Sequence, residues 1–125
     1  PNVRHVGHVY SRDHNAFNCS SRAVLNVNRA SMARYGFSPP TRVFEAAGAG
    51  ACLITDAWVG IELFLEPNEE VFVARDGAEV AAIVDKLTPE RARKIGAAAQ
   101  RRILAEHTYR HRAEQFDLIM EAVAA

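Results

Sequence analysis

Apolar and polar residues alternate near the start of the chain in the manner of β-strands. VRHVGHV (residues 3–9) alternates in this way, and AVLNVN (residues 23–28) does the same with β-branched residues. ACLITD (residues 51–56) and VFVA (residues 71–74) are short apolar runs between polar flanks, as expected for buried parallel strands. The pattern therefore predicts about four strands.

Helical patterns occupy the intervals between these strands. SRDHNAFNCSSR (residues 11–22) predicts a short helix with Ser11 as its N-cap. AWVGIELFLEP (residues 57–67) predicts a short helix that ends at its proline, and DGAEVAAIVDKLT (residues 76–88) predicts a longer one. Residues 29–38 connect a strand to the next helix and are expected to be a loop.

The last third of the chain is helical throughout. Thr88 is a predicted N-cap because proline follows it at the first helical position. Apolar residues then recur at three- and four-residue steps at Ala92, Ile95, Ala99 and Ile103. A second helix is predicted from about Thr108, with one face formed by Phe116, Ile119, Met120 and Val123. The order β-α-β-α-β-α-β-α-α predicts a parallel α/β sheet with crossover helices and two C-terminal helices.

Length and composition are typical of one soluble domain. The chain has 125 residues, of which 49% are hydrophobic and 24% charged. No apolar run approaches the roughly 20 residues of a membrane span, and no leader peptide opens the chain, so a cytoplasmic protein is expected. Cys19 and Cys52 lack ligand spacing and are expected to be buried reduced thiols. Because the chain begins at Pro1, we expect a processed product or part of a longer protein.

Charge is unevenly distributed although the formal net charge is zero. Residues 1–44 hold six arginines against Asp13 alone, whereas residues 45–90 hold ten acids. One interpretation is that these segments are solvated faces of the protein. The other is that the basic segment 1–44 lies close to a bound anion. Residues 91–112 are basic again, but no aromatic array accompanies the charges and the acidic middle would repel a polyanion. Nucleic-acid binding is therefore not expected.

One segment, GFSPPTRVFEAAGAGACLITD (residues 36–56), suggests an anion site. The double proline begins a helix that follows a strand, and Ser38 stands in the N-cap position. The free amides of Thr41 and Arg42 would point outward from the helix start, which is where anions bind in parallel α/β folds. Later in the segment, small residues predict close helix packing and a left-handed glycine cap.

Glu45 lies four residues after Thr41, one turn further along the same helix face. A carboxylate there suits a vicinal diol such as ribose, so phosphate at the helix start and ribose on Glu45 would indicate a nucleotide. The alternative is that Glu45 is a solvated surface residue that binds no ligand.

Other candidate residues have weaker patterns. His107 and His111 have the spacing of two zinc ligands, but HExxH and a third ligand are missing, so we expect no metal and interpret both as helix-junction residues. Trp58 and Phe64 are expected in or near the core. Asp56 and Glu62 are candidate polar groups at the mouth of a cleft, and no GxGxxG or P-loop is present.

Three blocks, residues 36–56, GIELFLEPNEEVFVARD and AEHTYRHRAEQ, resemble the C-terminal part of the CgeB-like (spore maturation protein CgeB) glycosyltransferases. These are similar to the retaining GT-B enzymes of the glycosyltransferase 4 type. The resemblance implies that residues 1–125 are part of a Rossmann-like, C-terminal donor-binding domain. Such a domain binds a nucleotide-diphosphate sugar for transfer to an acceptor, which is unknown here. The acceptor site would belong to an N-terminal domain, and the fragment alone would be inactive.

The resemblance also assigns roles to residues. In that superfamily two glutamates separated by seven residues mark the donor site, and the second holds the ribose. Glu45 matches the second, whereas Phe37 occupies the first position. Ser38, Thr41 and Arg42 fall where the diphosphate approaches, and Arg42 would stabilise the leaving group without a metal.

Two further expectations concern partners. The alternative function is a noncatalytic α/β binding module that uses its basic C-terminal helices. In the usual GT-B strand order, additional strands lie between VRHVGHV and AVLNVN. This chain must therefore bring those two strands together, leave an apolar edge open, or cover that edge by self-association. We therefore also expect a homo-oligomer that covers this edge.

Overall fold

A computed structural model of the protein describes residues 2–124 and contains a three-stranded parallel sheet surrounded by helices. The elements in chain order are α1 (His14–Cys19), β1 (Val24–Asn26), α2 (Ala30–Tyr35), α3 (Thr41–Gly48), β2 (Leu53–Asp56), β3 (Phe72–Ala74), α4 (Gly77–Lys86), α5 (Pro89–Glu106) and α6 (Tyr109–Ala124). Ser11–Asp13 and Ile61–Leu63 form 3₁₀ turns. The predicted parallel α/β fold with two C-terminal helices is confirmed.

The sheet has the order β1-β2-β3, with β2 in the centre. Leu25 of β1 is aligned with Ile54 of β2, which is aligned with Phe72 of β3. Both faces of the central strand β2 are covered. Leu53 packs in a core with α3 and the second half of α5, whereas Ile54 packs in a second core on the other face with α4 and the first half of α5. This arrangement explains why β2 and β3 lie in short apolar runs of the sequence.

The predicted strand at residues 3–9 is wrong, and the sheet therefore has three strands and not four. This segment has no regular structure, and its Val3 and Val6 side chains are exposed. A strand is stable only when its backbone groups pair with a neighbour, and no described strand lies beside this one. Gly7, with φ of +75°, also interrupts the extended conformation.

Helix α3 ends as predicted and meets α5 at very close range. Gly50 has φ of +83°, Ala51 N–H donates to the Ala46 carbonyl and Gly50 N–H to the Ala47 carbonyl, which together form a Schellman cap. A β-carbon added at Gly96 of α5 would lie 2.1 Å from the Gly50 carbonyl oxygen. The small residues predicted at the end of α3 thus allow the turn at Gly50 to lie directly against the backbone of α5.

Helix α5 follows the sequence pattern closely. The Thr88 hydroxyl oxygen accepts the Arg91 N–H at 3.2 Å, as expected of an N-cap, and Pro89 is the first helical residue. The predicted apolar positions Ala92, Ile95, Ala99 and Ile103 are all buried. They join both cores, so α5 ties the two faces of the sheet together.

Two helix boundaries differ from the predictions. Ser11 is not an N-cap, because it lies inside the 3₁₀ turn that precedes α1 and caps no amide. Residues 29–38 were expected to be a loop, because no apolar periodicity marks this segment. The structure instead contains the six-residue helix α2 here.

The predicted helix at residues 57–67 is only a three-residue 3₁₀ turn. Gly60 adopts φ of +103°, which a right-handed helix does not accept, and Ile61–Leu63 follows it. Trp58 and Leu65 are nevertheless buried, and Phe64 packs beside them, so the prediction that Trp58 and Phe64 lie in or near the core is confirmed.

The two thiols lie in different surroundings. Cys52 is buried, and burial raises the pKa of its thiol to about 11. Cys19 is exposed, contrary to expectation, and its S–H donates to the Ala49 carbonyl. Both are free thiols, as predicted.

Some apolar surface is left uncovered. Leu25 and Val27 at the β1 edge are exposed, and so are Phe116, Ile119, Met120 and Val123 on α6. The open apolar edge is thus present.

Within residues 2–124, none of the helices is long and apolar enough to span a membrane.

Candidate functional site

A buried polar network lies at the carboxyl ends of β1 and β2. Asn26 Nδ2 donates to Asn28 Oδ1 at 3.0 Å and to Thr55 Oγ1 at 3.1 Å. The Thr55 hydroxyl donates to Asp56 Oδ1, which also accepts the Asn28 backbone N–H at 3.0 Å, and the Trp58 indole N–H donates to Thr55. The network fixes the point at which the chain leaves β1 toward α2 and α3. Sequence patterns did not reveal it, except for the expectation that Asp56 lies near a cleft.

The loop ahead of α3 is tied to the loop after β2. Phe37 N–H donates to the Val59 carbonyl at 2.7 Å, and a β-carbon added at Gly60 would lie 2.8 Å from the Phe37 ring. Phe37 itself has φ of +49°. The Phe37 ring therefore packs the loop before α3 against the loop after β2. Glu62, the other predicted cleft residue, is exposed in the neighbouring 3₁₀ turn.

Helix α3 begins at Thr41, and its N-cap is Pro40. The expectation that Ser38 is the N-cap is wrong, because Ser38 lies two residues earlier and its side chain caps no amide. Val43 N–H donates to the Pro40 carbonyl at 3.0 Å. The amides of Thr41 and Arg42 donate to no backbone carbonyl within residues 2–124, so the helix start presents two available N–H groups.

The four predicted site residues are only partly brought together. Thr41 and Glu45 are exposed on one face of α3 and line the same groove. Arg42 is exposed beside them but outside that lining, and Ser38 stands apart in the preceding loop. Neither Glu45 nor Arg42 forms an ion pair with any residue in the described range 2–124.

We call this feature the corner groove: it lies between α3 and the junction of α5 with α6 and has a volume of about 420 Å³. Its apolar lining includes Phe44 and Ile103, and Glu45 lies on the α3 side. The opposite side is formed by His107, Thr108, Tyr109 and Arg112. An apolar floor with a few polar groups of both charges is typical of sites for small organic molecules.

His107 is central to the junction between α5 and α6. Its ring packs near Phe44 and Phe64, and its Nδ1 accepts a hydrogen bond from the Arg112 guanidinium. Burial lowers the pKa of His107, and the positive charge of Arg112 lowers it further. In the neutral ring with Nδ1 as acceptor, the proton is on Nε2, which is buried without a partner among residues 2–124.

His111 has a structural role at the start of α6. Its Nδ1 lies 3.2 Å from the Thr108 amide nitrogen, which donates to it, and 2.7 Å from the Thr108 hydroxyl oxygen. His107 and His111 are thus junction residues, as interpreted from the sequence, and each has Nδ1 engaged within the chain. Over the described positions 2–124, no three His, Cys, Asp or Glu side chains are grouped so as to hold a metal ion.

The sequence did not place the α5–α6 junction beside Glu45. His107, Tyr109 and Arg112 are more than sixty residues further along the chain, and the sequence indicated only that the histidines belong to a helix junction. Only contact between α3 and α5 brings these residues to the same groove.

Comparison with known proteins gives one family match. The model of a family described as "Glycosyl transferase-like" matches residues 1–117. The matched range includes all three strands, the start of α3 and every residue of the corner groove, and it ends within α6. No curated protein matches the chain significantly.

Proposed function

The chain belongs to the glycosyl transferase-like family, and from this premise we propose that it binds the nucleotide-diphosphate sugar of a GT-B enzyme of the CgeB-like kind. Its role is in glycosyl transfer. The observation that carries the finer proposal is that Thr41, at the start of α3, and Glu45, one turn later, line the same groove. A ligand held at the helix start would extend along this face.

The diphosphate would lie at the N-terminus of α3. The available amides of Thr41 and Arg42 and the positive end of the helix dipole favour a negative charge there. The Arg42 guanidinium is exposed and unpaired within residues 2–124, so it can turn toward the same anion. As the glycosidic bond breaks, these groups stabilise the charge that develops on the leaving diphosphate, and no metal is needed for that step.

The ribose would be held by Glu45. Its carboxylate lies one turn into α3 beside Thr41, and it is exposed with no ion pair inside the described chain. Both oxygens are therefore free to accept hydrogen bonds from the two ribose hydroxyls. Ser38 belongs to the loop that leads to this site and would approach the diphosphate from outside the helix.

The remaining parts of the reaction would come from elsewhere. We propose that residues 1–125 form part of a C-terminal donor domain and that an N-terminal domain supplies the acceptor site. On this proposal the fragment binds nucleotide weakly and does not turn over. Self-association at the open β1 edge, where Leu25 and Val27 are exposed, and a cytoplasmic location remain predictions.

The test is a calorimetric titration of this chain with UDP, GDP and TDP. We expect one of these diphosphates to bind selectively, and Glu45→Ala to weaken it about tenfold, which corresponds to about 1.4 kcal/mol for the lost diol contact. Glu69→Ala, which removes an exposed carboxylate outside the corner groove, should leave binding unchanged. Full affinity in Glu45→Ala would refute the role given to that residue.

The alternative, a noncatalytic module that binds through basic C-terminal helices, receives less support from the geometry. Arg93, Arg102 and Arg110 are each paired with a carboxylate of the chain, so much of this positive charge is already balanced. The double variant Arg101→Ala with Arg102→Ala separates the two functions. It should leave diphosphate binding unchanged if the donor-site proposal is right.

A further inference from the structure

We infer that the apolar face of α6 is a dimer surface, on which a second copy of this chain packs its own α6 antiparallel to the first. The side chains of this face are all more than half exposed: Tyr109, Phe116, Ile119, Met120 and Val123. The inference is independent of the proposed donor site, because it rests on the contacts and charges of α6 alone. It also concerns a different surface from the open β1 edge.

Helix α6 receives little support from the rest of the chain. It has 16 residues, none of which is buried, and no other element within residues 2–124 packs against it extensively. An isolated helix of about this length is only marginally stable in water, because most helical stability in proteins comes from packing of an apolar face. The apolar face of α6 therefore needs a partner surface that residues 2–124 of one chain do not provide.

The charges of α6 are arranged opposite to what a single helix favours. Arg110 and Arg112 stand in the first turn and Glu121 in the last, and within Tyr109–Ala124 the first turn has no acid and the last turn no base. The helix dipole is positive at the first turn, so both sets of charges are unfavourable for α6 alone. Beside an antiparallel copy the same arrangement is favourable, because the basic start of each helix lies next to the acidic end of the other.

The apolar positions are symmetric about Phe116, which places the two-fold axis of the pair. Tyr109 and Val123 each lie seven residues from Phe116, about 10.5 Å along the helix. In an antiparallel pair centred on Phe116, the two Phe116 rings meet, and Tyr109 of one copy lies beside Val123 of the other. Arg110 of each copy then lies about 1.5 Å along the axis from the level of Glu121 in the other. One self-complementary surface thus serves both copies, as a two-fold interface requires.

The contact is small, so the dimer should be weak. Helix α6 is about 24 Å long at roughly 1.5 Å per residue. A single helix pair of this length buries less than the roughly 1,600 Å² of a standard stable interface. We therefore expect a dissociation constant in the micromolar range or weaker. In dilute solution the chain is a monomer, and there the apolar face of α6 is in water.

Sedimentation equilibrium of this chain, from nanomolar to high micromolar concentration, tests the dimer. The measured mass should rise from one chain to two. Phe116→Asp should raise the dissociation constant at least about tenfold, because it places two carboxylates at the two-fold axis. Leu118→Asp is the matched control, since Leu118 is similarly exposed but lies on the opposite side of α6, and it should leave the dimer unchanged. Circular dichroism establishes that both variants retain their helices.

Charge reversals test the antiparallel orientation. Arg110→Glu and Glu121→Arg should each weaken the dimer several-fold, and the double variant should restore it, because both signs are then exchanged. The ion pair between Arg110 and Glu114 is lost in the Arg110→Glu variant and in the double variant alike, so it does not account for the restoration. Each single reversal also places a charge where the helix dipole favours it, so a weaker dimer cannot result from a weaker α6.

Three outcomes would overturn the inference. A chain that stays monomeric at high micromolar concentration would leave the face of α6 to a different partner. A dimer that Phe116→Asp leaves intact and Val27→Asp dissociates would assign self-association to the exposed β1 edge instead. Unchanged affinity in both single charge reversals would overturn the antiparallel arrangement, because in a parallel pair like charges face each other before and after each change.

Discussion

Helices α5 and α6 are consecutive and both follow a helical apolar pattern, yet their surroundings are opposite. Ile103 of α5 is 4% exposed and packs against α3, whereas Ile119 of α6 is 61% exposed. Every predicted apolar position of α5 lies in one of the two cores, and every predicted apolar position of α6 lies on the surface. The two helices therefore share a sequence pattern but differ in what packs against them.

This difference shows what an amphipathic pattern does and does not determine. Apolar residues at three- and four-residue steps make one face of a helix apolar, whatever packs against that face. Burial requires a complementary surface, and for α5 the sheet and α3 provide one. Consequently α5 should contribute strongly to the free energy of unfolding of this chain, and the apolar face of α6 should contribute little.

The largest expected effect comes from shortening the same side chain in both helices. Ile103→Ala should lower the free energy of unfolding by about 2–5 kcal/mol, because it leaves a cavity between α5 and α3. Ile119→Ala should change it by no more than about 0.5 kcal/mol, since the side chain is already in water. Chemical denaturation of both variants measures the difference. Equal losses would mean that the face of α6 is covered in solution, as self-association would cause.

An intermediate effect is expected where α5 touches the end of α3. Gly96→Ala should cost about 1–3 kcal/mol, because the new β-carbon would meet the Gly50 carbonyl oxygen and force the two segments apart. Gly77→Ala is the matched control at the start of α4, where a β-carbon meets no atom within 4 Å. Thermal unfolding of the pair checks this. A Gly96→Ala protein as stable as the control would show that the close contact is absent in solution.

The smallest effect is a pH dependence at the junction between the two helices. Burial and Arg112 lower the pKa of His107 below its usual 6.5, and Glu106 opposes this shift only in part. The unfolded chain then binds a proton more readily than the folded one, so stability is full above pH 6.5 and falls as the pH drops below it. His107→Gln should flatten the change in melting temperature between pH 7.5 and 5.5.

His5→Gln is the control for this experiment, because His5 is exposed and does not line the corner groove at the junction. An identical pH profile for His107→Gln and the wild type would contradict the environment assigned to His107. A profile flattened only by the His107 change would support the contact between α5 and α6 at this residue.

Local patterns were most reliable where capping chemistry and burial agree. The N-cap Thr88, the strand LITD and the left-handed Gly50 were all predicted, because each depends on a few neighbouring residues. The strand predicted at residues 3–9 was wrong because alternation needs a partner strand. The N-cap was placed at Ser38 because a serine before two prolines fits the pattern, and only the backbone conformation assigns that role to Pro40.

By itself, the sequence determined the parallel α/β class, both C-terminal helices and the helix that presents Thr41 and Glu45 on one face. These follow from side-chain periodicity, proline and glycine conformation, and capping over a few residues. The tertiary structure alone decided that α6 exposes its apolar face and that His107, Tyr109 and Arg112 share a groove with Glu45. Such proximity depends on how α5 packs on α3 across more than fifty residues of chain, and short-range patterns carry no information about it.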